Sequence, residues 1–399
     1  MSRQIQDAYI VAAVRTPVAR RNGAFLRVRP DDMLVHVLRA VVAKVPGLDP
    51  AEIGDVIAGC AMPEAEQGMN VARIAALLAG LPETVPGVTI NRFCASGLQA
   101  VADAANRIRL GEAEVMIAAG TESMSAMPQI MGNKVSLNPE IFAHQENLGI
   151  AFGMGLTAEK VAEQWKVSRD DQDAFALESH RRACAAIAAG AFADEIAPYL
   201  VKHYLPGEGG RVNIVERLQQ HDEGPRPDAS LDGLAKLKPV FAARGSVTAG
   251  NSSQMSDGAA AVLLMSEAAL KRCGATPIAR VAGYAVAGVP PRVMGVGPVE
   301  AIPRALKLAG VAQDALGWIE LNEAFAAQAL AVMRQLGLDP AKVNPQGGAI
   351  ALGHPLGATG AIRTATLMAA MQRDAGLRHG MISMCIGTGM GAAGVFERV

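Results

Sequence analysis

The chain has 399 residues, too many for a single hydrophobic core, so two or three domains are expected. Half of the residues are hydrophobic and only 19% are charged, enough apolar surface for a large core and for subunit contacts. The 37 basic and 38 acidic residues are interspersed along the chain, for a net charge of −1, which excludes a general nucleic-acid surface. No apolar run approaches the ~20 residues that cross a bilayer, so no membrane segment is expected. Residues 1–16 hold one short apolar stretch and no cleavage-site pattern, so no signal peptide is expected either. Five cysteines, none in a CxxC pair, speak against a disulfide framework or structural zinc and for a reducing, cytoplasmic compartment.

In chain order, residues 8–14 form a β-branched strand with a helix soon after. Residues 48–59 carry a helix cap and a glycine ahead of a short apolar strand. Residues 88–91 form another strand; it runs through Asn91-Arg92-Phe93-Cys94-Ala95-Ser96-Gly97 into a Gly/Ala-rich helix over 95–109, and residues 115–120 form a further strand. The order then repeats: 280–286 matches 8–14, 311–322 matches 48–59, 342–344 matches 88–91, and 381–385 matches 115–120. Each half reads strand–helix–strand–helix–strand, and near-continuous apolar strands with helices between them imply buried, largely parallel sheets. Residues between about 121 and 250 have no counterpart. They contain a long helix capped by Ser168, with Asp171 three residues on, ending near Gly190. They read as an inserted lid, after which 260–265 returns to the first half as a strand.

The chemistry-bearing residues sit in glycine-rich segments, where backbone can approach a ligand and leave N–H groups free to point at it. These are Asn322-Glu323-Ala324-Phe325, Gly347-Gly348 through Gly353-His354-Pro355, and Cys385-Ile386-Gly387-Thr388-Gly389. With Cys94 they supply two thiols, an imidazole and an amide, the groups that covalent acyl transfer needs. Cys94 lies at a helix N-terminus, where the dipole and free N–H groups are expected to lower its pKa, although a small buried residue is an equally good reading of its position. His354, set between glycine and proline, is a candidate base outside any regular element. Cys385 ends a strand whose partner in the first half ends in Gly120, so the fold itself does not require sulfur there. Asn322 is either a polarising amide or a turn-forming residue. His354 has no second His or carboxylate at ligand spacing, so no metal site is expected.

At these residues the sequence resembles the thiolase family from end to end. The resemblance rests on Arg15-Thr16-Pro17, Gly120-Thr121-Glu122-Ser123-Met124-Ser125, Thr248-Ala249-Gly250-Asn251-Ser252-Ser253, Asn322-Glu323-Ala324-Phe325-Ala326 and Gly353-His354-Pro355, in order beside the two cysteines. It implies an α/β fold of two βαβαβ halves in a five-layered α-β-α-β-α core with an inserted loop domain. The corresponding divisions are 1–120 with 250–273, 121–249, and 274–399. It implies Cys94 as acyl acceptor, His354 as its base and Cys385 as the second acid/base. Asn322, through a water, would join His354 in an oxyanion hole for the enolate, and the N–H groups of Cys94 and Gly387 would form a second hole.

For coenzyme A, a substrate rather than a bound cofactor, the resemblance points to Arg226 at the adenine and Ser253 at the pantetheine. It points to Met154, Ala324 and Phe325 in the tunnel wall, with Ala249 among the contacts, and to Met294 in the acyl pocket. The other basic residues of the insertion, including Lys202, Arg217, Lys236 and Arg244, are ordinary solvated charges. Biosynthetic members usually carry a histidine before the Met-Gly of the lid; here Gly153 stands before Met154, which resembles the degradative 3-ketoacyl-CoA type. A homodimer or homotetramer is expected. A biosynthetic acetoacetyl-CoA thiolase is the alternative. A decarboxylating ketoacyl synthase, which would have a second histidine at Asn322, and an inactive CoA-binding relative are remoter ones.

Overall fold

The computed structural model describes residues 5–126 and 136–399; residues 1–4, and 127–135 of the expected insertion, lie outside the described residues. The first half supplies β1 (Tyr9–Arg15), β2 (Ala19–Arg20), α1 (Pro30–Ala43), β3 (Ile53–Gly59), α2 (Val71–Leu78), β4 (Gly87–Ile90), α3 (Ser96–Arg109) and β5 (Val115–Ser123). Next come α4 (Glu140–Ala143), α5 (Met154–Gln164), α6 (Arg169–Ala188), the hairpin β6 (Tyr199–Pro206) and β7 (Val212–Gln219), and α7 (Leu231–Ala235). The chain returns through β8 (Ser256–Met265) and α8 (Glu267–Cys273). The second half is β9 (Ala279–Gly288), α9 (Gly297–Ala309), β10 (Trp318–Leu321), α10 (Ala326–Leu336), α11 (Ala349–Leu352), α12 (Leu356–Arg373), β11 (His379–Ile386) and β12 (Met390–Arg398).

The repeat is written in the strand order. The first half runs β4-β3-β5-β8-β1, and the second runs β10-β11-β12-β9, with Val343 bridging to Ile319 where β4 would stand. The half-sheets join where Tyr9 and Ile10 of β1 pair with Arg280 and Ala279 of β9. Apolar side chains then assemble five layers. The outer face of the first half-sheet packs on α1 and α2 through Leu34, Leu38, Val71 and Ala75. Helices α3 and α12 fill the space between the half-sheets through Leu98, Val101, Ile108, Leu367, Met368 and Met371. The far face of the second half-sheet packs on α9 and α10 through Ile302, Leu306, Ala329 and Val332.

Strand direction departs from expectation. Only β3 with β4, β3 with β5, and β10 with β11 are parallel; β1–β8, β5–β8, β11–β12 and β9–β12 are antiparallel. Burial on both faces produces the continuous apolar runs whatever the direction, and direction follows from the connections. β12 returns from β11 through Gly387, Thr388 and Gly389, a link too short for a parallel crossover.

The local elements follow their sequence signals. Pro30 opens α1, with Asp31 and Asp32 in its first turn, and Ser168 Oγ caps α6 by accepting from Asp171 N at 3.1 Å. The segment after α6 is tied back to β1 by a buried charge cluster. Arg15 donates from Nε to Glu195 (2.6 Å) and from both terminal nitrogens to Asp222 (2.7 and 2.9 Å).

Helices α3 and α12 meet almost backbone to backbone. A side chain at Gly97 would place its Cβ 2.7 Å from Ala361 N and 2.9 Å from Gly357 O, and one at Gly360 would strike Leu98 N. Gly97→Val should therefore cost at least about 1–3 kcal/mol through overpacking, read as a lower midpoint in urea unfolding; an unchanged midpoint would refute the close approach.

Candidate active site

Four segments converge at the ends of α3, β10, α11 and β11. Cys94 sits in the 3₁₀ turn Phe93–Ala95 that leads into α3. Phe93 holds a left-handed φ of 46°, supported by Asn91 Oδ1, which accepts its N–H at 2.8 Å. Ser96 Oγ closes the turn, accepting from Arg92 N (2.8 Å) and donating to Phe93 O (2.7 Å). Such strain is tolerated only where the surroundings enforce it, and here it fixes where the sulfur points.

The Gly387 N–H and Cys94's own N–H favour the thiolate of that sulfur, and Cys385 lies close enough for its thiol to be perturbed by Cys94. On the other side, Asn322 Nδ2 is 3.4 Å from His354 Nε2, and His354 Nδ1 is 2.6 Å from Thr359 Oγ1. With Nδ1–H donating to Thr359, the Nε2 lone pair accepts from the amide, an assignment made from the network. Asn322 Oδ1 is buried and has no hydrogen-bond partner among the described residues, as expected of an amide held for something other than a turn.

One expectation is corrected. Cys94 is only 9% exposed, and its thiol is pushed up to about 11, because burial outweighs the N–H groups that were expected to lower it. His354 lies outside any regular element, as its glycine–proline setting implies, and it is itself buried; burial together with the Arg363 charge lowers it to about 3. Burial also raises the Cys385 thiol, reinforced by Cys94. The resting centre at neutral pH is thus two protonated thiols beside a neutral imidazole.

Met294, Ala324, Phe325 and Cys385 pack in one apolar cluster with Ala158 and Val247. A Cβ on Gly387 would lie 3.7 Å from Met154 Sδ, which puts that methionine over the catalytic loop. Ser253 N donates to Ala324 O at 3.0 Å, and the neighbouring Gln254 O accepts from His354 N at 3.2 Å. Gln254 also lines a cavity of about 420 Å³ with Arg226, Ala249, His180 and Ile350. Gln254 thus joins the wall of this cavity to the His354 backbone, and Arg226 N donates to His180 Nδ1 at 3.2 Å. Of the candidate residues, Arg226 and Ala249 line this cavity, whereas Met294, Ala324, Phe325 and Cys385 belong to the apolar cluster.

The sequence profile described as "Thiolase, N-terminal domain" matches residues 8–268, and "Thiolase, C-terminal domain" matches residues 275–398. The chain belongs to the thiolase family. It is 49% identical to a protein named 3-ketoacyl-CoA thiolase from Bacillus subtilis (strain 168), over 98% of this chain and 100% of that one. It is 47% identical to one named beta-ketoadipyl-CoA thiolase from Pseudomonas aeruginosa, over 100% of both. Its fold superposes on the crystal structure of the Bacillus anthracis acetyl-CoA acetyltransferase with a TM-score of 0.89 and 40% identity, covering 100% of both chains. This thiolase is accordingly an acyl-CoA C-acyltransferase.

Sequence reasoning missed Thr359, His180 and Phe241. Phe241 stands edge-on to Phe325 with ring centroids 6.1 Å apart. For Thr359 the spacing five residues after His354, inside a Gly-Ala-Thr-Gly run, was the available signal. Thr359→Val should lower kcat at least roughly tenfold, within the 10²–10⁴-fold a general base supplies; an unchanged kcat would remove Thr359 from the centre. Alkylation of Cys94 by iodoacetamide in the free enzyme should keep rising about tenfold per pH unit between about pH 7 and 9, because only the thiolate reacts. A plateau below that range would mean a preformed thiolate–imidazolium pair.

Proposed function

We propose that the protein is a 3-ketoacyl-CoA thiolase working by ping-pong acyl transfer through Cys94. His354 Nε2 takes the Cys94 proton, and the thiolate attacks the 3-keto carbon. The tetrahedral oxygen is held by the N–H groups of Cys94 and Gly387. The C2–C3 bond breaks, its electron pair passes to the acetyl-CoA enolate, and the enolate oxygen is held by His354, now protonated, and Asn322 through a water. Cys385 protonates the enolate carbon and releases acetyl-CoA. Incoming CoA then gives its thiol proton to Cys385 and attacks the acyl–Cys94 thioester, and His354 returns a proton to the departing Cys94 sulfur. Each proton and electron pair is returned, so no metal or permanently bound cofactor enters the scheme. The neutral resting state supports it: a neutral imidazole can accept the proton, and a buried thiol whose pKa is raised is a fit donor to a carbanion. Arg226, Ser253, Ala249, Met154, Ala324 and Phe325 are the proposed CoA contacts, and Met294 the acyl contact.

The observation that carries the degradative reading is the open place before Met154. Gly153 brings no side chain there, and a Cβ built on it would meet nothing within 4 Å. That space admits acyl chains longer than a biosynthetic site closed by an imidazole would accept. The relatives' names, 3-ketoacyl-CoA and beta-ketoadipyl-CoA thiolase, support the same direction. A series of 3-ketoacyl-CoA substrates with CoA, including 3-ketoadipyl-CoA, should release acetyl-CoA from members beyond acetoacetyl-CoA; activity confined to acetoacetyl-CoA would return the chain to the biosynthetic alternative. Cys385→Ala should leave acylation of Cys94 detectable while turnover falls about 10²–10⁴-fold. Turnover within about threefold of wild type would remove Cys385 from the proton transfers.

The division into 1–120 with 250–273, 121–249 and 274–399 is part of the same reading, supported by the β8 return. So are a reducing, cytoplasmic compartment, supported by five free cysteines, and a homodimer or homotetramer. Exposed Ile74, Leu77 and Leu78 on α2 beside Val88 on the edge strand β4 support assembly. Sedimentation of a monomer at micromolar concentration would contradict it. Among the described residues no helix is long and apolar enough to cross a membrane.

A further inference from the structure

His354 occupies the three-residue joint Gly353–Pro355 between α11 and α12, and a buried carboxylate holds each side of that joint. Upstream, Glu323 Oε2 accepts from Ile350 N at 3.2 Å and from Ser179 Oγ at 2.7 Å, and Oε1 accepts from Asn344 Nδ2 at 2.8 Å. Downstream, Glu122 Oε2 accepts from Gly357 N at 2.8 Å and Ala61 N at 2.7 Å. Its Oε1 accepts from Gln67 Nε2 at 2.6 Å, from Met62 N at 3.2 Å and from Cys60 Sγ at 3.7 Å.

Both seats are cut to the carboxylate. A Cβ on Gly348 would overlap the Glu323 carboxylate, and one on Gly357 would lie 2.8 Å from Glu122 Oε2. The two acids come from opposite halves of the duplication, Glu122 from β5 and Glu323 from the residue after Asn322. Asn344, which holds Glu323, also accepts from Leu321 N (2.9 Å) and donates to Leu321 O (2.8 Å), so the same hub fixes the strand end that carries Asn322. Among the described residues neither acid hydrogen-bonds to Cys94, His354 or Cys385, so neither is a proton carrier in the scheme above.

We propose that Glu122 and Glu323 are positioning residues of the thiolase reaction, a clamp from both halves that fixes the His354 joint against Cys94 and Asn322. The carboxylate of each is matched to N–H donors on both of its sides, and an amide cannot replace it without turning an NH₂ toward an N–H. Displacement of a reacting group by about 1 Å can cost ~10²-fold in rate, so loosening this joint acts on the chemical step; the partners of Glu122 do not line the CoA cavity, whereas Glu323 also holds Ile350 of its wall.

The proposal rests on the thiolysis reading, and its test separates the two. Wild type that releases no acetyl-CoA from any 3-ketoacyl-CoA rejects the functional reading. With active wild type, Glu122→Gln and Glu323→Gln should each lower kcat about 10- to 100-fold, with KM for CoA within about threefold in Glu122→Gln. Labelled-histidine NMR should show His354 as a single Nδ1–H tautomer in wild type and as a mixture in the variants, a change that a purely structural role would not produce. Folded variants with kcat within about threefold of wild type, or with loss confined to thermal stability, would overturn the clamp. Should a variant fail to fold, hydrogen exchange in wild type decides: Ile350 and Gly357 amides must be protected like the interior of α12, and exchange at exposed-loop rates would overturn the proposal.

Discussion

The arrangement depends on one close contact, the crossing of α3 and α12 between the two half-sheets. Gly97 and Gly360 let the helices approach to backbone distance, so the turn ahead of α3 and the joint ahead of α12 face each other. Those two places carry Cys94 and His354. A bulkier residue at either glycine would push apart the thiol and the imidazole. The active centre is thus a product of the duplication: each half contributes a helix to the middle layer, and the reacting groups stand at the ends of the two helices.

Burial then decides the electrostatics. Helix-end N–H groups favour a thiolate, but desolvation acts on the whole charge and wins at Cys94, as it does at Cys385 and His354. A centre kept neutral at rest avoids holding an ion pair away from water, and its charges arise only when substrate supplies carbonyl oxygens for the waiting N–H and amide donors. The buried Asn322 Oδ1, without a partner among the described residues, is the structural counterpart of that arrangement. The inserted segment supplies the roof, with Met154 above Gly387 and Phe241 against Phe325, and Arg15 holds its far end through Glu195 and Asp222.

Much of this was legible in the residues. The repeat of 48–59 in 311–322 and of 115–120 in 381–385 located β3, β5, β10 and β11, because burial on both faces leaves an apolar run that survives divergence. The glycine-rich segments located Cys94, Asn322, His354 and Cys385, because close backbone approach excludes most other residues. Strand direction was not legible, since an apolar run carries no sign, and β8 and β12 turned the sheets mixed. The direction of the Cys94 shift was not legible either: a helix N-terminus shows in sequence, whereas the depth at which it is buried does not. Thr359, Phe241 and the partners of Glu122 escaped because their significance lies in contacts across long stretches of chain, such as Glu122 with Gly357.

The central claim is that Cys94 carries the acyl group while one CoA leaves and the next arrives. Its most direct test is the mass of the Cys94 peptide after the enzyme is mixed with 3-ketoacyl-CoA in the absence of free CoA, followed by addition of CoA. The account predicts a gain of one acyl group on that peptide, absent in Cys94→Ser and discharged by CoA as the new acyl-CoA. An adduct on another residue, or an adduct that persists in Cys94→Ser, would contradict it.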